Sequence, residues 1–231
     1  MNLTDQFYDY LIDHGAALVG FADMRMDKSL IYPRAVSVAI PVPAPIVRSL
    51  KTAPNKAYYD AYNEMNDRLN RIVRDGASYL IDKGYHAAPM TTDAVQIDRD
   101  KWISTFPHKT AATRAGLGWI GKNCLLITPQ YGGAVRLSSI LTDAPLQTAD
   151  PITRSGCGNC TLCVQCCPAE ALSGALWEAG MARSELFDEQ KCYQKQLQIM
   201  KEQTGIETDL CGKCFAVCAY TQKYIGEQRD G

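Results

Sequence analysis

The C-terminal third of the chain carries cysteines whose spacing suits iron–sulfur chemistry. Cys157, Cys160, Cys163 and Cys167 stand in the arrangement C-x2-C-x2-C-x3-C, and Pro168 follows directly. This is the bacterial ferredoxin pattern, in which three thiolates bind one [4Fe–4S] cluster and the fourth cysteine binds another cluster. The pattern therefore requires a further group of cysteines elsewhere in the chain.

A second group of cysteines lies further along. Cys211, Cys214 and Cys218 form C-x2-C-x3-C, and Cys192 lies upstream on a helix predicted over residues 187–201. Together the two groups supply eight cysteines, which is enough to give four ligands to each of two [4Fe–4S] clusters. We assign cluster one to a first set comprising Cys157, Cys160, Cys163 and Cys218. We assign cluster two to a second set comprising Cys167, Cys192, Cys211 and Cys214.

Zinc and disulfides are the competing uses of these cysteines. A zinc ribbon would combine the C-x2-C pairs at positions 157–160 and 211–214, but the separation between the pairs is about three times that of usual ribbons. Disulfides require an oxidising compartment, whereas the N-terminus is acidic and no apolar secretory segment follows it. We therefore expect a cytoplasmic protein with reduced thiols. Cys124 and Cys166 are left as non-ligands, and Cys124 is expected to be a small buried side chain.

A glycine-rich segment precedes the cysteines. Gly116-Leu-Gly118-Trp-Ile-Gly121 matches G-x-G-x-x-G, but a dinucleotide site needs this motif between a strand and a helix. Here a helical segment precedes it and a strand follows, which disfavours a nicotinamide site. Two interpretations remain: a loop whose backbone approaches a large ligand, or a tight turn with its tryptophan packed inward. The residues concerned are Gly118, Trp119, Gly121, Lys122 and Asn123.

The rest of the pattern indicates a layered fold. Apolar residues recur at steps of three and four over residues 59–81, which predicts a long amphipathic helix, and Thr4 predicts the N-cap of a first helix. Strands are predicted at 17–22, 35–42, 85–90, 125–129 and 135–142. This alternation indicates an α/β or α+β layer domain over residues 1–150. Glycines, cysteines and short helical segments then indicate a second domain over residues 151–231.

Composition excludes several classes of function. The 231 residues carry 24 basic and 25 acidic side chains, which gives a net charge of −1. The chain as a whole therefore lacks the excess of basic residues that is typical of nucleic-acid-binding proteins. The longest apolar stretch, residues 35–47, contains three prolines and is too short to span a bilayer. We therefore expect no membrane association.

The string HKTAATRAGLGWIGKN, from His108 to Asn123, resembles the epoxyqueuosine reductases and, more distantly, the reductive dehalogenases. The resemblance continues through both cysteine sets and covers about residues 100–220. It implies a nitroreductase-like α/β domain, joined to a C-terminal ferredoxin-like domain with two [4Fe–4S] clusters, and a cobalamin between them. Cofactor-binding positions implied in this way are Gly118, Trp119, Gly121, Lys122, Asn123, Gly132 and Gly133.

The sequence also departs from that family. Epoxyqueuosine reductases carry an acidic proton donor in the segment before AGLGW, followed by a Glu-Arg pair; here the acid is missing, and His108 and Lys109 replace the pair. His108, Asp98 and Asp100 are therefore the candidate proton donors. The chain carries no helical-repeat extension after Cys218 and no basic excess, which argues against a tRNA substrate.

The resulting hypothesis is a cobalamin-dependent oxidoreductase. Electrons from a ferredoxin or flavodoxin would pass through two clusters to a cobalamin-type cofactor, for reduction of a small molecule or of the corrinoid itself. Two alternatives remain open. One is a ferredoxin-type electron carrier without an organic cofactor, and the other is a flavin-dependent reductase with a ferredoxin domain.

Overall fold

The computed structural model describes residues 2–227, which form nine helices and eight strands. In chain order these are α1 (Leu3–Asp13), β1 (Leu18–Asp23), β2 (Arg34–Pro41), α2 (Ala44–Ser49), α3 (Lys56–Asp82), β3 (Ala87–Met90), β4 (Ile97–Asp98), β5 (Ile103–Ser104), α4 (His108–Arg114), β6 (Trp119–Ile120), β7 (Leu126–Ile127), β8 (Val135–Thr142), α5 (Leu162–Gln165), α6 (Arg183–Leu186), α7 (Glu189–Thr204), α8 (Lys213–Ala216) and α9 (Ala219–Glu227). The mixture of helix and sheet confirms the predicted α+β class at this coarse level.

The chain divides into two structural units. The first contains the segments up to Pro41, Met65–Gly118 and Arg136–Ile152. The second contains Val42–Glu64, Trp119–Val135 and the segment from Thr153 onward. The last change of unit falls close to the boundary expected near residue 150, while two earlier segments group with the cysteine-rich part. The assignment of residues 1–150 and 151–231 to separate domains stays a prediction.

The first unit is built around a four-stranded sheet in the order β1-β2-β8-β3. β1 runs antiparallel to β2, with Leu18 opposite Ala39, and β3 runs antiparallel to β8, with Ala87 opposite Thr142. Six consecutive residues of β2 are buried, which is typical of a strand covered on both faces. β2 therefore belongs to the core of this unit.

Helix termini follow capping chemistry, with one correction to the sequence prediction. Asn2, not Thr4, caps α1, because the Asn2 side chain accepts a hydrogen bond from the Asp5 amide at 2.9 Å. The Thr4 hydroxyl instead accepts from the Gln147 amide at 2.9 Å. The helix predicted over 187–201 is α7, which begins two residues later because the Asp188 side chain caps it.

The second unit consists of short elements. Its hairpin β6–β7 is antiparallel, with Trp119 opposite Ile127. One apolar cluster joins Ile120 of this hairpin to Leu186, the last residue of α6, and to Phe187, which follows it. Among residues 2–227, no helix is both long enough and apolar enough to traverse a bilayer.

Candidate metal centre

Four cysteines line one cavity of the second unit. The cavity measures about 40 Å³, and its walls include Cys157, Cys160, Cys163 and Cys218. These are the four members of the first set, although Cys218 is remote from the others in sequence. The remaining lining residues are Lys122, Asn123, Ile127, Ala219 and Tyr220.

Local structure brings the first set together. Cys157 and Cys160 lie in a loop before α5, where Gly158 adopts φ +52° and the Cys160 amide donates to the Cys157 carbonyl at 3.3 Å. Cys163 lies on α5, and Cys218 lies between α8 and α9. Burial raises the pKa of Cys163 to about 11, and the neighbouring thiols of its set add to this rise. These thiols repel one another as anions, so a positively charged group is needed to hold them as thiolates.

The second set also forms one neighbourhood. Burial is the main reason why the pKa of Cys192 is raised, and the thiols of Cys167 and Cys211 add to it. Burial likewise raises the pKa of Cys214, and the thiols of Cys211 and Cys192, followed by those of Cys163 and Cys166, add to this rise. The four cysteines of the second set are thus close enough to influence one another, and their assignment to one cluster stays a prediction.

Two N–H groups point to sulfur atoms of the second set. The Gln196 side-chain amide donates to Cys192 Sγ at 2.9 Å, and the Ala171 backbone amide donates to Cys167 Sγ at 3.5 Å. Such hydrogen bonds favour the anionic form of sulfur. They are one of the means by which proteins adjust iron–sulfur potentials.

The two remaining cysteines have other surroundings. Cys124 is 5% exposed and packs in the apolar cluster around Ile120. Cys166 Sγ lies 3.4 Å from the Cys163 carbonyl and 3.7 Å from the Lys213 carbonyl, so its S–H is a donor to backbone oxygen. That neither cysteine is a ligand stays a prediction.

The thiol sets are spread out rather than gathered on a point. Within residues 2–227, no three His, Cys, Asp or Glu side chains are grouped as they would be around a single metal ion. A cubane is larger, because each thiolate binds a different iron corner. Thiols arranged around a cavity are the arrangement that such a cluster needs.

The last glycine of the glycine-rich segment, Gly121, begins a turn of the second unit. The Cys124 amide donates to the Gly121 carbonyl at 2.8 Å, so Lys122 and Asn123 are the central residues of the turn between β6 and β7. Both are buried and line the cavity. A Cβ on Gly121 would lie 2.6 Å from Ile127 Cγ1, so the absence of a side chain there serves internal packing.

The other predicted cofactor positions also contact the chain itself. Gly132 has φ +58°, and a Cβ there would lie 2.3 Å from the Thr221 amide nitrogen. Gly133 donates its amide to Thr221 Oγ1 at 3.0 Å. Gly118 is buried and is the last residue of the segment Met65–Gly118 of the first unit. Trp119 is 9% exposed, with its ring 5.0 Å from that of Tyr220.

The candidate proton donors all lie in the first unit and line no part of the cavity. Asp98 and Asp100 are exposed, and Asp98 Oδ1 accepts from the Asp100 and Lys101 amides, which closes the β4–β5 turn. His108 Nδ1 lies 3.0 Å from Ser139 Oγ. Burial, and then the charge of Arg136, lowers the pKa of His108 to about 4, so its imidazole is neutral at pH 7. Their role in proton transfer stays a prediction.

Sequence comparison relates the chain to curated epoxyqueuosine reductases. The Bacillus anthracis enzyme is 33% identical over 133 residues, which cover 58% of this chain and 29% of the relative. The enzyme of Bacillus subtilis (strain 168) is 42% identical over 165 residues, which cover 65% of this chain and 39% of the relative. The chain thus spans less than half the length of these relatives. No protein-family profile matches it.

Solved structures give the same relationship at the level of fold. An epoxyqueuosine reductase with a tRNA-Tyr stem loop gives a TM-score of 0.61 at 20% identity, over 95% of this chain and 65% of that one. A catabolic reductive dehalogenase in complex with 3-bromo-4-hydroxybenzoic acid gives 0.69 at 20% identity, over 96% and 32%. A reductive dehalogenase structure that suggests a mechanism for B12-dependent dehalogenation gives 0.66 at 18% identity, over 95% and 32%. The chain is therefore a relative of the epoxyqueuosine reductases in sequence, and of these enzymes and the reductive dehalogenases in fold, which confirms the resemblance predicted from its motifs.

Proposed function

We propose that this chain is an oxidoreductase that conducts electrons through two [4Fe–4S] clusters to a cobalamin-type acceptor, for reduction of a small molecule or of the corrinoid itself. The first set holds cluster one and the second set holds cluster two. The proposal treats the cysteine-rich segment as a ferredoxin-like domain and the preceding sheet as a nitroreductase-like domain. The relationship to the epoxyqueuosine reductases supports a redox role.

The observation that carries the proposal is the composition of the cavity. Three thiols from one loop and helix meet a fourth, Cys218, from a distant segment, and no other sulfur of residues 2–227 lines this space. The ferredoxin pattern predicts that one cluster takes ligands from two separate cysteine groups. A zinc ribbon would instead join the two C-x2-C pairs, and this cavity does not join them.

The surroundings of the cavity suit a redox group. A bound [4Fe–4S] cluster accepts and releases one electron at a time. Ile127 and Ala219 give the cavity apolar walls, and Tyr220 closes one side, with its hydroxyl 3.4 Å from the Gly156 carbonyl. These side chains limit the access of water to the cavity. Solvent exposure is one of the factors that determine the reduction potential of an iron–sulfur cluster.

A cobalamin-type acceptor is supported by the shared fold and by one unpaired donor. Cobalamin, when bound, supplies a strongly reducing cobalt centre. Trp119 Nε1 is buried and has no acceptor within the described part of the chain, so an additional polar group could take its hydrogen bond. We propose that Trp119 and Asn123 lie next to the bound cobalamin.

A second candidate is an electron carrier without an organic cofactor. It is favoured by the glycines at 121, 132 and 133, whose Cβ positions are already filled by neighbouring atoms of the chain. These glycines therefore leave no cradle of the kind that a large ligand would occupy. In both candidates a ferredoxin or flavodoxin is the proposed electron donor.

The test combines metal analysis with cofactor binding. Oxygen-free wild type is compared with Cys163→Ser, Cys192→Ser and the matched control Cys166→Ser. We expect each ligand variant to lose about half of the iron, since each cluster holds four irons, while Cys166→Ser keeps it all. Full iron in Cys163→Ser would contradict the ligand assignment.

The acceptor is tested on the same material. Added cobalamin should quench the fluorescence of wild type but not that of a Trp119→Phe variant, and the reduced clusters should reduce the added corrinoid. Reversible cluster reduction without cobalamin binding would select the electron carrier. Stoichiometric flavin in the purified protein would select a flavin-dependent reductase.

A further inference from the structure

Lys122 occupies a place that is unusual for a lysine. As a central residue of the β6–β7 turn it belongs to a position that normally faces solvent. It is nevertheless only 6% exposed, as is its neighbour Asn123. Lysine is almost never buried to this extent without a partner.

No partner for Lys122 is found in the described part of the chain. Between residues 2 and 227, no carboxylate lies within ion-pair distance of its ammonium group and no acceptor within hydrogen-bond distance. Lys122 lines the cavity formed by the four thiols of the first set. Most of the Lys122 side chain is removed from water beside these thiols, and a counter-charge there would stabilise its ammonium group. The cavity therefore suits a group that carries negative charge.

We propose that Lys122 is the charge partner of cluster one and raises its reduction potential. The inference rests on the proposed function, because it requires a cluster in the first set. A cube ligated by four thiolates is anionic, and reduction adds one electron and one further negative charge to it. A fixed cation beside the cavity stabilises the reduced form more than the oxidised form. Lys122 thus acts on the reduction potential of cluster one through its charge and is not an iron ligand.

The second set provides a matched control. Lys213 stands between Cys211 and Cys214, so its charge belongs to the surroundings of cluster two. Lys213→Gln removes the same charge from the same type of side chain. We expect it to leave the potential of cluster one unchanged.

The experiment is a redox titration of the oxygen-free holoprotein, monitored by electron paramagnetic resonance. Lys122→Gln should shift the reduction equilibrium of cluster one about tenfold toward the oxidised form, which is about 59 mV toward negative potential. Cluster two is the internal reference and should keep its midpoint. Lys122→Arg, which retains the charge, should stay within about threefold of wild type.

Several outcomes would overturn the inference. Iron-replete Lys122→Gln with an unchanged midpoint for cluster one contradicts it, as does an equal shift of both clusters. If Lys122→Gln loses iron, Lys122→Met is compared with Lys122→Arg; iron kept only with arginine supports the charge partnership, whereas loss in all three overturns it. A wild type free of iron overturns the proposed function, and this inference with it.

Discussion

Replacing His108 by asparagine tests whether a neutral, largely desolvated imidazole makes the fold sensitive to acid. The imidazole contacts Ser139 through Nδ1 and lies 5.3 Å, centroid to centroid, from the ring of Phe106. Burial is the main cause that lowers its pKa from 6.5 to about 4, and the charge of Arg136 adds to it. Protonation of the His108 imidazole is therefore disfavoured in the folded chain, whereas it occurs at the ordinary pKa in the unfolded chain.

The sign and size of the effect follow from linkage. Because the pKa in the folded state lies below the unfolded value, the stabilisation is complete above about pH 6.5 and is lost as the pH falls toward 4. The lowered pKa corresponds to about 3 kcal/mol in total, of which about 2 kcal/mol is lost between pH 7 and pH 5. Below pH 4 both states bind the proton, and this loss ends.

The assay is urea unfolding of wild type and His108→Asn at pH 7 and pH 5, without oxygen, followed by far-ultraviolet circular dichroism. The variant should lose about 2 kcal/mol less than wild type over this interval. Cluster loss on unfolding affects both proteins and cancels in the difference. His14 is exposed, and His14→Asn should keep the wild-type loss. Equal losses in wild type and His108→Asn would refute the reasoning.

Two further predictions concern the second unit. Gly132→Ala should destabilise the protein by at least about 2 kcal/mol more than Gly205→Ala in urea unfolding, because both positions have positive φ but only Gly132 meets backbone at 2.3 Å; equal losses would contradict the steric argument. Gln196→Leu should lower the potential of cluster two by about 40 mV in a redox titration, since it removes the N–H donor to Cys192 Sγ. Gln198→Leu, on the same helix, should not change that potential, and a shift of equal size there would remove the role of the hydrogen bond.

Periodicity predicted the long elements of the fold and failed at their edges. The pattern over residues 59–81 predicted α3, but it assigned Tyr59 and Ile81 to the apolar face. Tyr58 is instead the residue 6% exposed, and Ile81 is 52% exposed. A period of 3.6 residues admits either neighbour at the end of an apolar stripe. The packing partner decides, and Tyr58 has the ring of Phe215 at 6.0 Å.

The proline-rich segment shows a different limit. Residues 41–45 contain three prolines, a composition typical of a turn, yet Pro43 is the N-cap residue of α2 and Pro45 lies in its first turn. Proline is compatible with a helix start because the first amides need no partner there. The β4–β5 hairpin is absent from the predicted strands, because strands of two residues have no period to detect.

The site was predictable where covalent spacing defines it. In the ferredoxin pattern each cluster takes its ligands from both cysteine groups, and the cavity contains the first set that this pattern predicts. The burial of Lys122 and Asn123 was not predictable, since a turn following glycine is usually exposed. The N–H of Gln196 directed at Cys192 depends on helix geometry, because residues four apart lie on one face.

The most direct test of the account is the metal content of the native protein, purified without oxygen and without added iron. Iron, acid-labile sulfide and zinc are measured on one sample, and the reduced protein is examined by electron paramagnetic resonance. The account predicts about eight irons and about eight sulfides per chain, with signals from two reduced cubes. Zinc in place of iron, or thiols that all react as free cysteine in a metal-free protein, would contradict it.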